Sequence, residues 1–132
     1  MTITLYFLTL IILSVCDSIW LFSMGANYKM WLGHIFAPTF TYTPAVIFYL
    51  FYAIGLVYFV IAPAIQNGTS LLSTFFIGAF LGLLAYAAYD LTNHATLQNW
   101  PLVVTVVDMA WGAFLSGITS TLVVYIYTAF IK

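Results

Sequence analysis

Charged side chains are nearly absent from this sequence. Of its 132 residues, two are Lys or Arg and three are Asp or Glu, which amounts to 4%. A typical soluble domain carries about a quarter charged residues. A surface so poor in charge does not stay dispersed in water, whereas a lipid-facing surface needs no charge. The composition excludes an ordinary soluble domain and indicates an integral membrane protein.

Basic clusters and cysteine pairs are missing as well. The formal net charge is −1 and no run of Lys or Arg occurs, so no basic field is present to attract nucleic acid. The single cysteine, Cys16, excludes an internal disulfide. We expect membrane lipid and a small amphipathic ligand as partners, and no nucleic acid. An oligomer is compatible with the sequence, and no particular cofactor is indicated.

Four apolar segments are long enough to cross a hydrocarbon core of ~30 Å, which takes about 20 helical residues. They cover residues 3–24, 44–65, 71–89 and 102–131, approximately. We predict one all-α transmembrane domain over residues 1–132, folded as a four-helix bundle. The segment from Gly25 to Thr43 mixes aromatic and polar residues, which predicts that it lies at the membrane interface.

Small residues recur at four-residue spacing in the third and fourth segments. They are Gly78 and Gly82 in the third, and Gly112, Ser116 and Ser120 in the fourth. Rows of small residues let transmembrane helices approach closely. We interpret these rows as helix-packing surfaces.

The three acidic residues are predicted to reach the same leaflet. We name the side of the membrane that holds Met1 side A, and the opposite side B. Asp17 and Asp108 then both lie ~9 Å below side B, at ~1.5 Å per helical residue. Asp90 follows the third apolar segment, which ends at side B.

Helices one and four carry the same pattern, a hydroxyl, a carboxylate and an indole at three-residue spacing. The two sets are Ser14, Asp17 and Trp20, and Thr105, Asp108 and Trp111. Three residues is close to one helical turn, so each set lines one helix face. We predict that the two faces form two walls of one site.

The end of helix three supplies a third wall by the same spacing, with Tyr86, Asp90, Asn93 and His94. Asp90 and His94, four residues apart, are weak candidates for an ion pair or for metal ligands. Tyr49 and Tyr52 are further candidates for the lining. An aromatic pocket with a few acids suits an amphipathic or lipid-derived ligand, or a cationic one.

Aspartates inside a bilayer cost at least a few kcal/mol each and usually mark function. The structural alternative is that each is protonated or hydrogen-bonded and only ties helices together. In an enzyme, one of Asp17 and Asp108 would donate a proton and the other would accept one, with Asn93 orienting the substrate. Whether the protein is an enzyme stays open.

Three functions are therefore considered. The first is a Trp-lined acidic pocket, near one leaflet, that binds or transforms a small amphipathic or lipid-derived molecule. The second is a proton- or cation-coupled carrier, although the helices offer chiefly apolar residues below Ser14 and beyond Thr119. The third is a structural or accessory membrane subunit.

Several sequence blocks resemble a family of small four-helix bacterial membrane proteins catalogued only as a domain of unknown function. The blocks are DSIW at residues 17–20, LGH at 32–34, GLVYFV at 55–60, YDLTN at 89–93, WP at 100–101 and DMAWG at 108–112. The resemblance implies the same fold, a multi-pass location in the bacterial inner membrane and cytoplasmic termini. It implies no activity.

Overall fold

Four long helices make up the computed structural model, which describes residues 2–132 and contains no strand within that range. They are α1 (Thr2–Leu32), α2 (Tyr42–Asn67), α3 (Leu71–Thr96) and α4 (Leu102–Ile131). Each is long and apolar enough to cross a membrane. The predicted all-α membrane bundle is thereby confirmed, and Met1, which the predicted domain includes, lies outside the described residues.

Helix α1 runs past residue 24, where the first apolar segment ends, to Leu32. The beginning of the predicted interfacial segment is therefore two more turns of α1, and only the remainder, as far as Thr41, connects it to α2. The sequence between Gly25 and Leu32 holds no proline, and Leu32 packs against Trp100 and Val104 at the start of α4. This packing extends the helix where hydropathy alone gives no reason for it to continue.

Helix α3 also continues, to Thr96 rather than to about residue 89. Asp90 consequently lies inside the helix, with more than one turn after it. The helix thus persists beyond Tyr89, and Tyr86, Asp90 and Asn93 can share one face of it.

The turn between α2 and α3 has the geometry that its sequence suggests. Gly68 ends α2 with a left-handed φ of 63°, which glycine adopts without steric cost. Ser70 then caps α3, its hydroxyl accepting a hydrogen bond from the Ser73 N–H.

Within α2, Pro63 follows a π-helical turn at Val57–Ile61, where the Ala62 N–H bonds to the Val57 carbonyl. Pro63 has no N–H for the carbonyl four residues earlier, which favours this looser turn.

The apolar core lies in the side A half of the bundle. Its fully buried members include Leu5 and Leu13 of α1, Leu56 and Ile61 of α2, and Leu115 and Val123 of α4. The acidic residues are therefore placed in the other half, toward side B, where side-chain packing is less purely apolar.

Helices α3 and α4 share the largest interface of the bundle. A Cβ atom added to Gly82 would lie 2.1 Å from the Gly112 carbonyl oxygen, and one added to Gly112 would lie 2.2 Å from the Tyr86 ring. The small-residue rows are thus confirmed as packing surfaces, because no larger side chain fits between the backbones. This contact fixes Tyr86 and the following turn of α3 against α4.

We expect Gly82→Ala to destabilise the protein by about 1–3 kcal/mol, because its methyl group would force the two helix backbones apart. Gly55→Ala is the matched control, since its added Cβ meets no atom within 4 Å. Unfolding in detergent, followed by circular dichroism, measures both. Equal stability of the two variants would contradict this account of the interface.

Candidate functional site

A cavity of about 340 Å³ lies between α1, α3 and α4 in the side B half of the bundle. Its walls combine carboxylates with aromatic rings and a few aliphatic groups. The lining residues are Asp17, Trp20, Leu21, Gly25, Tyr28, Leu32, Phe36, Tyr86, Tyr89, Asp108 and Trp111. Two of the three aspartates of the chain thus face one cavity.

Asp17 is held from two other helices. Its Oδ1 accepts a hydrogen bond from the Trp111 indole N–H of α4 at 2.8 Å. Its Oδ2 accepts one from the Tyr49 hydroxyl of α2. The residue is only 6% exposed, so these two donors replace the water that a buried carboxylate loses. Asp17 therefore ties α1 to α2 and α4 at one point.

Asp108 is held by the counterpart of this arrangement. Tyr28, on the extension of α1, donates its hydroxyl proton to Asp108 Oδ1. The Trp20 indole N–H in turn donates to the Tyr28 oxygen at 3.3 Å. The Trp20 and Trp111 rings stack on each other, with centroids 4.3 Å apart and planes 4° from parallel. Each tryptophan is thus linked by hydrogen bonds to the aspartate of the opposite helix. Trp111 donates directly to Asp17, and Trp20 is linked to Asp108 through Tyr28.

Asp90 lies behind the cavity wall and not on it. It is 0% exposed, and within residues 2–132 neither of its carboxyl oxygens has a hydrogen-bonding partner. The register of α3 against α4, which sets Tyr86 against Gly112, places Asp90 one turn further on, beside the half-buried Asp108. The three aspartates are therefore brought together, but in unequal settings.

Five of the residues proposed from sequence line the cavity: Asp17, Trp20, Tyr86, Asp108 and Trp111. Four others, Ser14, Asp90, Asn93 and Thr105, do not belong to its lining. Thr105 instead accepts a hydrogen bond from the Trp100 indole at 3.0 Å and pairs with His94 Nδ1 at 3.1 Å. The first residue of the helix-four pattern thus serves the junction between α3 and α4.

The metal hypothesis receives no geometric support from His94. Its ring is exposed and is hydrogen-bonded to Thr105. Across residues 2–132, no group of three or more His, Cys, Asp and Glu side chains is arranged to hold a metal ion.

Tyr28 and Tyr89 are lining residues that sequence reasoning missed. The sequence places Tyr28 in the predicted interfacial segment, because hydropathy falls after residue 24. The spacing of Tyr28 from Asp17 is a signal nonetheless. Tyr28 follows Asp17 by eleven residues, and eleven helical residues turn through three full turns and about 20° more. A continued helix places Tyr28 on the face of Asp17, three turns closer to side B.

A larger groove, of about 960 Å³, runs along α1 and α2 at the side A end. Its lining includes Ile3, Phe7, Ile54 and Phe59, and among residues 2–132 no Asp, Glu, His, Lys or Arg contributes to it. The chemistry of the chain is concentrated in the smaller cavity.

The family model described as Predicted membrane protein (DUF2177) matches residues 2–125 of the chain. The match takes in α1, α2 and α3 and most of α4. No curated protein and no solved structure matches the chain.

We expect a double-mutant cycle between Trp111→Phe and Asp17→Leu to give a coupling energy of about 1–3 kcal/mol. Each single variant breaks the hydrogen bond between the two side chains, so the double variant loses less stability than the sum of the two single variants. Trp100→Phe is the matched control, since its indole bonds to Thr105 instead. Combined with Asp17→Leu it should be additive within about 0.5 kcal/mol. Stability is measured by unfolding in mixed detergent micelles. Additivity in the Trp111 cycle would contradict the described bond.

Proposed function

The chain belongs to this family of predicted membrane proteins, and from the geometry of its cavity we propose that the protein binds a small amphipathic molecule that carries a positive charge. The supporting observation is that, within residues 2–132, two carboxyls and no basic residue line the cavity. Aromatic rings, led by the stacked Trp20 and Trp111, make up much of the remaining wall.

The charge balance favours a cationic ligand. Asp17 and Asp108 receive hydrogen bonds from neutral donors only, namely the Trp111 indole and the hydroxyls of Tyr49 and Tyr28. Such donors disperse a negative charge but do not cancel it. No Lys, Arg or His is found among the lining residues within 2–132. A cation supplied by the ligand would lie beside the two carboxyls and offset part of their negative charge.

The aromatic wall favours an organic cation over a metal ion. Ring faces attract an alkylated ammonium group with about 0.5–2 kcal/mol per contact, more when the group is desolvated. Trp20, Trp111 and Tyr86 present rings to the cavity beside the two carboxyls. The carboxyls and the rings together therefore favour a positively charged head group with an apolar surface.

The outer edge of the cavity suits an apolar tail. Leu21 and Phe36, both lining residues, are 52% and 51% exposed, which places them at the boundary between cavity and surroundings. With Asp17 ~9 Å below side B, this edge opens within one leaflet. An amphipathic ligand would lie with its head at the carboxyls and its tail toward lipid.

Binding is favoured over transformation of the ligand. The acid–base pair expected from sequence was Asp17 and Asp108, but both oxygens of Asp17 already accept hydrogen bonds. A general base needs an oxygen that can reach a substrate proton. Asp17 is better suited to hold a charge, which leaves Asp108 without its partner in catalysis. The location that accompanies this proposal is the bacterial inner membrane, with the termini on the cytoplasmic side.

We expect Asp17→Asn and Asp108→Asn each to weaken binding of decyltrimethylammonium at least about tenfold, since each removes a charge worth more than about 1.4 kcal/mol at the site. Equilibrium dialysis of the protein in lipid nanodiscs measures the affinity. Decyl sulfate, with the same chain and the opposite charge, should not bind. Trp100→Phe, outside the cavity, should keep the affinity of the unaltered protein.

Unchanged affinity in both aspartate variants would contradict the proposal. Absence of binding in the unaltered protein, with all three Asp-to-Asn variants folded, would instead support the accessory-subunit alternative. Folding is checked by a single symmetric peak in size-exclusion chromatography.

The carrier alternative is supported by a separate observation. Thr119 and Ser120 of α4 are 0% exposed, and within residues 2–132 their hydroxyl oxygens have no hydrogen-bonding partner. They lie about 17 Å from Asp108 toward side A. Ser116, between them and the cavity, bonds to the Tyr52 hydroxyl at 2.7 Å. Polar groups of α4 thus continue below the site as far as Ser120, where the chiefly apolar stretch of the sequence begins.

A carrier should accumulate decyltrimethylammonium in proteoliposomes when a pH gradient is imposed, and Ser120→Ala should slow that uptake severalfold by breaking the polar continuation. Thr121→Ala is the matched control, because the Thr121 hydroxyl bonds to the Gly117 carbonyl of its own helix. Binding in nanodiscs without gradient-driven uptake would exclude the carrier and leave the binding function intact.

A further inference from the structure

Within residues 2–132, Asp90 is the one acidic side chain that the proposed binding site does not use, although it lies directly behind that site. A fully buried carboxylate with no donor costs several kcal/mol, so it persists only when a proton or another charge satisfies it. No donor reaches its oxygens within residues 2–132. The antiparallel register that sets Gly82 and Tyr86 against Gly112 continues one turn further to set Asp90 beside Asp108, which lines the cavity.

Among the residues that the structure describes, 2–132, no positive charge lies beside this pair. Tyr28 approaches from α1 and bonds to Asp108, Tyr89 lies near Asp90 on α3 itself, and Asp17 faces Asp108 across the cavity. From α2, Tyr49 bonds to Asp17 and not to the pair. His94, one turn after Asp90, is directed to Thr105. Two adjacent carboxyls in such a setting do not both ionise, because like charges at short range repel strongly at low dielectric.

We propose that Asp90 and Asp108 share one proton in the empty cavity and release it when the cationic ligand binds. This inference rests on the proposed function. In the step, the O–H bond of the shared acid breaks, the proton leaves to water at side B, and the ligand's positive charge takes its place beside Asp108. One positive charge enters as one leaves, so the charge buried in the bilayer is unchanged. The protein thereby exchanges a proton for an organic cation.

The structure separates the two roles within the pair. Asp108 is half-buried and faces the cavity, where a ligand can contact it. Asp90 is sealed behind it, so its negative charge is tolerated only while a positive charge or a proton lies next to Asp108. Asp90 is therefore a positioning group that stores the proton, and Asp108 is the group that meets the ligand.

The test is isothermal titration calorimetry of decyltrimethylammonium into the protein in nanodiscs, in phosphate and in Tris at one pH. The quaternary ammonium carries a fixed charge, so any proton released comes from the protein. We expect about one proton released per bound cation, and affinity that rises up to about tenfold per pH unit where the pair titrates. In Asp90→Asn both the release and the pH slope should fall toward zero.

His94→Gln is the matched control, because it removes an imidazole that lies one turn after Asp90 on the same helix but outside the cavity. It should release the same number of protons as the unaltered protein. Loss of release in His94→Gln, or full release in Asp90→Asn, would overturn the assignment to the pair. If Asp90→Asn does not fold, the pH slope of the unaltered protein decides, and a flat slope overturns the inference.

The two proposals fail separately. Binding of the cation without any proton release overturns the exchange and leaves the binding function standing. No binding of the cation at any pH overturns the binding function itself.

Discussion

The stack of Trp20 on Trp111 is the interaction on which the rest of the site depends. Each indole is three residues after its aspartate, so its Cα lies about 4.5 Å further along its own helix. The two helices are antiparallel, and helical side chains lean toward the N-terminus of their helix. Trp20 therefore leans back toward side A and Trp111 toward side B, and the rings meet at the depth of the carboxyls.

This meeting explains why each aspartate is served from the opposite helix. Once the indoles overlap, the Trp111 N–H lies beside Asp17, while Trp20 reaches Asp108 only through the Tyr28 hydroxyl. The bundle thereby holds two carboxyls within the bilayer by neutral donors alone. A basic residue at the same place would stabilise the fold as well, but it would cancel the charge that a ligand can use.

The helices, the common depth of the aspartates and the faces of Trp20 and Trp111 could be predicted from sequence, because they follow from hydropathy and helical spacing alone. The role of Tyr28 could not, since the continuation of α1 depends on Leu32 packing against α4. The burial of Asp90 depends on how closely α3 and α4 approach each other. The spacing of the small residues predicts such an approach. The exposure of Asp90 that results from it depends on the packed structure and cannot be read from the spacing.

The walls of the cavity differ in how firmly they are held. The α3 and α4 wall is fixed by backbone contact, since Gly82 and Gly112 leave no room for a shift without collision. The α1 wall is held by aromatic stacking and by single hydrogen bonds of Tyr28 and Trp111, each worth only about 0.5–3 kcal/mol. Those contacts can rearrange around a ligand at small cost while the backbones cannot. Asp90 and Asp108 thus lie on the rigid side of the cavity, and the α1 side is the one that can shift at small cost.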